Sequence, residues 1–318
     1  MLGLLIAAAI ASRPPVIDMH FHALAPDDQG PPPVVFCAPY QGWPILDTAK
    51  PVDVYLRDFV GTPNCRNRIV SPLTAGELAK RNVAALERNN VVAVASGTAD
   101  RVEAMRRAAP ARIIPALQFG DGAKPWPTAV EIRALHKAGR LKVLGEITAQ
   151  YDGIAPNDPR LEPYYALAEE LDLPVGIHIG PGPPGVAYFG SPKYRMKLSD
   201  PLLLEDVLVR HPKLRLYVMH AGWPNADAMI GLMFSYPQVY CDVAVIDTAW
   251  PPADFYAYLR RLVDAGLARR ILFGSDQMVW PEAIDAGIAS INGAPFLSAG
   301  EKRDILYNNA VRFLRLTP

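Results

Sequence analysis

The sequence predicts an α/β protein with a (β/α)8 TIM-barrel fold, on three observations. Eight short, β-branched apolar runs recur along the chain, amphipathic helical patterns separate them, and polar side chains able to bind metal interrupt the runs near their C-terminal ends. A chain of 318 residues with 50% hydrophobic content buries a core of that size without needing a second domain.

The runs cover residues 16–23, 91–97, 112–120, 141–148, 174–180, 215–222, 239–247 and 271–279. Several are apolar nearly throughout, as parallel strands covered on the outside by helices should be. Among the intervening helices, Asp200 caps a segment with Pro201 in its first turn, apolar Leu203, Leu204, Val207 and Leu208 on one face, and Pro212 as its stop. Tyr164, Leu167, Ala168 and Leu171 form a second helical face, and Leu306, Ala310, Phe313 and Leu314 a closing one. Residues from about 24 to 72 are rich in Pro and fit no strand–helix unit, so they read as a long loop insertion over the mouth of the barrel.

Residues 1–11 form an apolar run too short to span a bilayer but suited to a signal peptide, with Ala9-Ile10-Ala11 as the cleavage signature. No Lys or Arg precedes the run, and a frayed start or misassigned start codon is the other reading. The expected organisation is thus a possible signal peptide over 1–11 and a single barrel over 12–318. Cys37 and Cys65 lie in the long insertion, where an exported protein would pair them and a cytoplasmic one would keep two thiols. Cys241 sits in an apolar run and reads as a buried core thiol. A periplasmic or secreted location is expected, with the cytoplasm as the alternative. Thirty-two basic and thirty-two acidic residues cancel, so there is no overall field to attract nucleic acid. The expected partner is a small molecule, with no stable membrane insertion; a homo-oligomer is left open.

The chemistry begins at Asp18-Met19-His20-Phe21-His22, where period-two geometry points two imidazoles to the same side of the first strand. Alone, such a pair could be structural. Glu146, His178, His220 and Asp276 fall at matching places near the ends of four other predicted strands, where barrel active sites are built. Burying so many imidazoles and carboxylates is costly unless each is paired or metal-bound. There is no Gly-x-Ser-x-Gly motif and no Cys–His arrangement at strand ends to support serine or thiol hydrolysis. On the rim loops, Tyr194, Arg195, Trp223, Gln277 and Trp280 are candidate substrate contacts, with Arg195 suited to gripping a carboxylate.

On these residues the chain resembles the amidohydrolase superfamily: His20 and His22 look like its first-strand His-x-His, His178 and His220 like its fifth- and sixth-strand histidines, and Asp276 like its eighth-strand aspartate. His220-Ala-Gly-Trp-Pro and Asn308-Asn-Ala-Val-Arg-Phe-Leu resemble the group that includes aminocarboxymuconate semialdehyde decarboxylase. Many binuclear members carry a bridging carboxylated lysine on the fourth strand. Here Gly145-Glu146-Ile147 departs from that pattern and is similar to TatD-like hydrolases, in which a glutamate bridges two metals. The resemblance implies a divalent metal, with zinc the commonest guess, as one ion or two. Two are favoured, with Glu146 between them; Glu146 beside a single ion is the other reading. It also implies hydrolysis of a small ester, lactone or amide by metal-activated water, with Asp276 moving the proton. With one ion, His220 is free to act as acid or base. Decarboxylation of an unsaturated or aromatic acid is the alternative, and a non-catalytic binding barrel the second.

Overall fold

The computed structural model describes residues 13–120 and 125–316. The expected signal peptide lies outside these residues. Among the described residues there are ten strands: β1 (Val16–His22), β2 (Val35–Cys37), β3 (Arg68–Val70), β4 (Val91–Ser96), β5 (Ile113–Phe119), β6 (Val143–Ile147), β7 (Val175–His178), β8 (Leu216–Met219), β9 (Tyr240–Asp242) and β10 (Ile271–Leu272). Every strand but β2 and β3 belongs to one sheet of order β1-β4-β5-β6-β7-β8-β9-β10, parallel at each step. The last step back to β1 is carried by single backbone bonds, Met19 N–H to Phe273 O at 2.9 Å and Asp276 N–H to His20 O at 2.7 Å. These close the (β/α)8 barrel, and the second places Asp276 against the first-strand histidines.

The barrel forms because its strands are apolar on both faces. Ile17, Met19, Val94, Val143, Tyr217 and Leu272 pack with one another on one side of the wall, with Phe313 of the last helix against them. Their neighbours of opposite parity, among them Ala93, Leu144 and Val218, join the larger core beneath the outer helices. The segment capped by Asp200 starts as a 3-10 turn, Pro201–Leu204, and becomes α-helical only over Glu205–Arg210. Asp200 still accepts from Leu202 N–H at 3.0 Å.

The insertion after β1 is more ordered than a loop. Antiparallel β2 and β3 pair within it, a helical segment runs from Val52 to Gly61, and a Cys37–Cys65 disulfide ties it together. Three-residue strands are too short for periodicity to reveal. No described helix is long and apolar enough to cross a membrane.

Candidate metal centre

The barrel places the six expected ligand residues on five strands or the turns that follow them, and all six are buried. His20 and His22 end β1, Glu146 lies in β6, His178 ends β7, His220 follows β8 and Asp276 follows β10. The side chains of His20, His22, Glu146, His220 and Asp276 converge, while His178 packs edge-on against the His220 ring at 4.7 Å and joins neither of their two donor triads. Glu146 is central, with Oε1 3.8 Å from His20 Nε2 and 3.6 Å from His220 Nε2, and Oε2 3.6 Å from His22 Nε2. Asp276 Oδ1 lies 3.0 Å from His22 Nε2 and 3.7 Å from His20 Nε2. Two overlapping triads, His20–Glu146–His220 and His20–His22–Asp276, each bring one donor atom per residue within 4.8 Å of the others.

These donors fit a divalent cation. Buried His20 Nε2 has no hydrogen-bond partner among the described residues, although it is aimed at two carboxylates. An imidazole nitrogen buried in this way is costly unless something coordinates it.

Three of the Nδ1 atoms are held from behind, while buried His22 Nδ1 has no partner among the described residues. His20 Nδ1 bonds Asp242 Oδ2 at 3.1 Å, His178 Nδ1 bonds Gln150 Oε1 at 2.8 Å and His220 Nδ1 bonds the Ala244 carbonyl at 3.0 Å. Each partner oxygen requires the hydrogen on Nδ1 and leaves the Nε2 lone pair free for a metal. Asp242 also accepts from the backbone of His220 at 2.9 Å and of Ala244 at 3.1 Å. Asp18 does comparable work across the closure, accepting from Ser275 N–H at 2.9 Å and His20 N–H at 3.0 Å. Its burial pushes the carboxyl up to about 6.

Glycines let the backbone come close to these rings. A Cβ on Gly180 would lie 2.6 Å from His220 Cβ, and one on Gly274 would lie 2.6 Å from His20 Cβ. The rim backbone is strained at non-glycine positions, with φ of 59° at His220, 59° at Val245 and 45° at Asp276. Such conformations persist only where the surroundings over-determine them, and they gather at functional sites.

Electrostatically the cluster holds protons where a cation would sit. Burial opposes charge on His20, but Asp276, Asp242 and Glu146 together raise it well above an ordinary histidine. Burial likewise opposes charge on Glu146, yet His20, His220 and His178 bring it well below the usual carboxylate range. His178 is pushed down to about 3 by burial and by His220, so it is neutral. Tyr151, whose hydroxyl is 3.4 Å from His178 Nε2, is raised well above 10 by burial and by the Glu146 charge, and stays protonated.

A cleft of about 1510 Å³ opens onto the cluster, bordered by His22, Glu146, His178, His220 and Asp276. Of the expected substrate contacts, Trp280 borders it, with its indole N–H on the Val34 carbonyl at 3.0 Å. Trp223, Tyr194 and Arg195 do not. Trp223 packs edge-on against Trp250 at 5.0 Å. The Tyr194 hydroxyl is committed to Gly182 N–H and the Gly180 carbonyl. Exposed Arg195 folds onto the carbonyls of Pro192 and Tyr194, since its own loop supplies acceptors nearer than the cleft. Gln277 pairs with the backbone of His22 in both directions, at 2.8 and 2.7 Å, so it positions a ligand residue. Sequence reasoning missed Asp242, Gln150 and Tyr151. Asp242 carried a partial signal, a carboxylate ending an apolar strand; the other two lie in a short 3-10 helix, Ala149–Asp152, with none.

The amidohydrolase family profile matches residues 17–316. This chain belongs to the amidohydrolase family. Solved structures agree on the amidohydrolase fold. A probable 2-pyrone-4,6-dicarboxylic acid hydrolase from Acinetobacter baumannii is 15% identical, covers 95% of this chain and 99% of its own, and has a TM-score of 0.57. An amidohydrolase from Burkholderia multivorans with bound zinc is 15% identical, with 96% and 100% covered and a TM-score of 0.54. The 5-carboxyvanillate decarboxylase of Sphingomonas paucimobilis is 18% identical, with 74% and 82% covered and a TM-score of 0.53. No curated protein matches the chain.

Proposed function

We propose that this amidohydrolase is a metal-dependent hydrolase that cleaves an ester, lactone or amide of a small organic acid. One observation carries the reading: Glu146 stands at the centre of the donors, with both oxygens facing histidine nitrogens, as a carboxylate shared between two cations would. Zinc is the ion proposed, as held by the Burkholderia structure.

A divalent cation in this site supplies Lewis-acid polarisation of the substrate carbonyl and acidifies water. Asp276 borders the cleft and takes the proton from the attacking water, then returns it to the leaving group. Protonated Tyr151, also on the cleft wall, donates its hydrogen to the substrate carbonyl oxygen as charge develops there. Asp242, Gln150 and the Ala244 carbonyl keep His20, His178 and His220 in one tautomer throughout. The disulfide supports export to an oxidising compartment.

Decarboxylation of an aromatic acid is the second reading, supported by the likeness to the Sphingomonas decarboxylase. Turnover of an aryl lactone and ester panel in 18O-labelled water separates the two. Label in the product acid supports hydrolysis; carbon dioxide released from aryl acids, with no label incorporated, refutes it.

A further inference from the structure

The cleft is larger than the chemistry at its base requires. Its volume is about 1510 Å³, against roughly 300–1,000 Å³ for ordinary small-molecule sites. The wall beyond the metal cluster is built from aromatic side chains, and most come from the insertion after β1. Trp280 stacks on Phe36 at 5.1 Å, Tyr40 stacks on Trp43 at 5.0 Å and on Phe59 at 5.5 Å, and Trp43 meets Trp250 edge-on at 4.9 Å. The same cluster runs on through Tyr55, stacked on Phe59 at 6.0 Å, to Phe189 at 6.2 Å, and Phe189 borders the cleft. Interlocked rings of this kind form a stiff wall that neither collapses nor hydrates favourably when empty.

Charge narrows the choice of ligand. Arg101 is the sole Lys or Arg among the described residues that border the cleft, and Asp28 from the opposite segment already neutralises it in an ion pair. Beyond the metal cluster, then, the described residues that border the cleft offer no unneutralised Lys or Arg to a second carboxylate.

We infer that the insertion builds a distal subsite for an aryl body of more than one ring, so that the substrate is a monoacid derivative carrying an extended aromatic group. This rests on the metal cluster being the reacting end. The carbonyl sits at Asp276 and Tyr151, and the rings lie along Trp43, Phe189 and Trp280.

Product-analogue acids test the inference by calorimetry on zinc-loaded protein. Biphenyl-4-carboxylate is expected to bind at least about 20-fold more tightly than benzoate, and terephthalate no more tightly than benzoate. Trp43→Ala and Phe189→Ala each reduce the biphenyl preference to about 5-fold or less, with benzoate affinity held within about 2-fold, and Trp43→Phe restores it. Equal binding of benzoate and biphenyl-4-carboxylate, or a preference for terephthalate, overturns the subsite. Zinc-free protein separates this from the proposed function. A ring preference that survives while benzoate binding ignores zinc removes the metal cluster as the reacting end and leaves the aryl subsite standing.

Discussion

Replacing Asp242 by Asn changes one atom at the end of β9 while keeping the side chain's shape, and the structure dictates what that atom must do. Oδ2 accepts from His20 Nδ1 at 3.1 Å, and Oδ1 accepts from the His220 and Ala244 amides at 2.9 and 3.1 Å, with no solvent exposure. An asparagine has one acceptor to share between these two sides. If its oxygen turns to His20, two buried backbone N–H groups face an NH2, at a cost of about 1–3 kcal/mol each. If its oxygen stays on the amides, His20 must accept at Nδ1 and carry its hydrogen on Nε2, the nitrogen that should bind metal. The second arrangement strands fewer groups. Asp242→Asn is therefore expected to lower zinc affinity about 10- to 100-fold, with a loss of about 1–3 kcal/mol in metal-free stability. Competition with a chromogenic chelator measures the first and urea denaturation the second. Unchanged zinc affinity, with Asp242→Asn folded, would refute the tautomer argument.

Three further outcomes follow from the same geometry. His20 is raised well above its usual range in the metal-free protein and so is protonated at neutral pH, which means that metal must displace a proton. Calorimetry in buffers of different ionisation enthalpy should show about one proton released at pH 7 and affinity weakening as pH falls; buffer-independent heats would contradict this. Gly274→Ala places a Cβ 2.6 Å from that of His20 and 3.0 Å from that of Ala244, so it should cost about 1–3 kcal/mol of stability and lower the metal content of purified protein. Cys37→Ser with Cys65→Ser opens a loop of 28 residues' separation and should lower the unfolding free energy by about 3 kcal/mol; an unchanged urea midpoint would show that the insertion unfolds independently of the barrel.

All eight barrel strands were legible because each lies within an apolar run between helical patterns, from Val16 in β1 to Ile271 in β10, although β9 and β10 keep only three and two residues of theirs as strand. The six buried strand-end residues proposed as ligands stood out for a related reason, since a polar group at the end of a buried strand violates the pattern and needs an explanation. Asp242 violates it as well, but one carboxylate ending an apolar run cannot be told from a structural one until its partner is seen. Arg195 was misplaced because rim position says nothing of side-chain direction, and carbonyls in its own loop captured the guanidinium. The aromatic wall was hidden for a different reason. Phe36, Tyr40, Trp43 and Phe59 reach one another only after β2, β3 and the disulfide fold the insertion back on itself, contacts that no local periodicity encodes.

Metal per chain, measured by elemental mass spectrometry on purified wild type and on Glu146→Ala, tests the central claim most directly. Close to two ions are expected in the wild type, with a clear fall in Glu146→Ala, because both oxygens of that carboxylate face the histidine donors. One ion, retained in full without Glu146, would contradict the shared-carboxylate reading and leave decarboxylation the better account. Absence of metal after supplemented expression would remove the metal centre altogether.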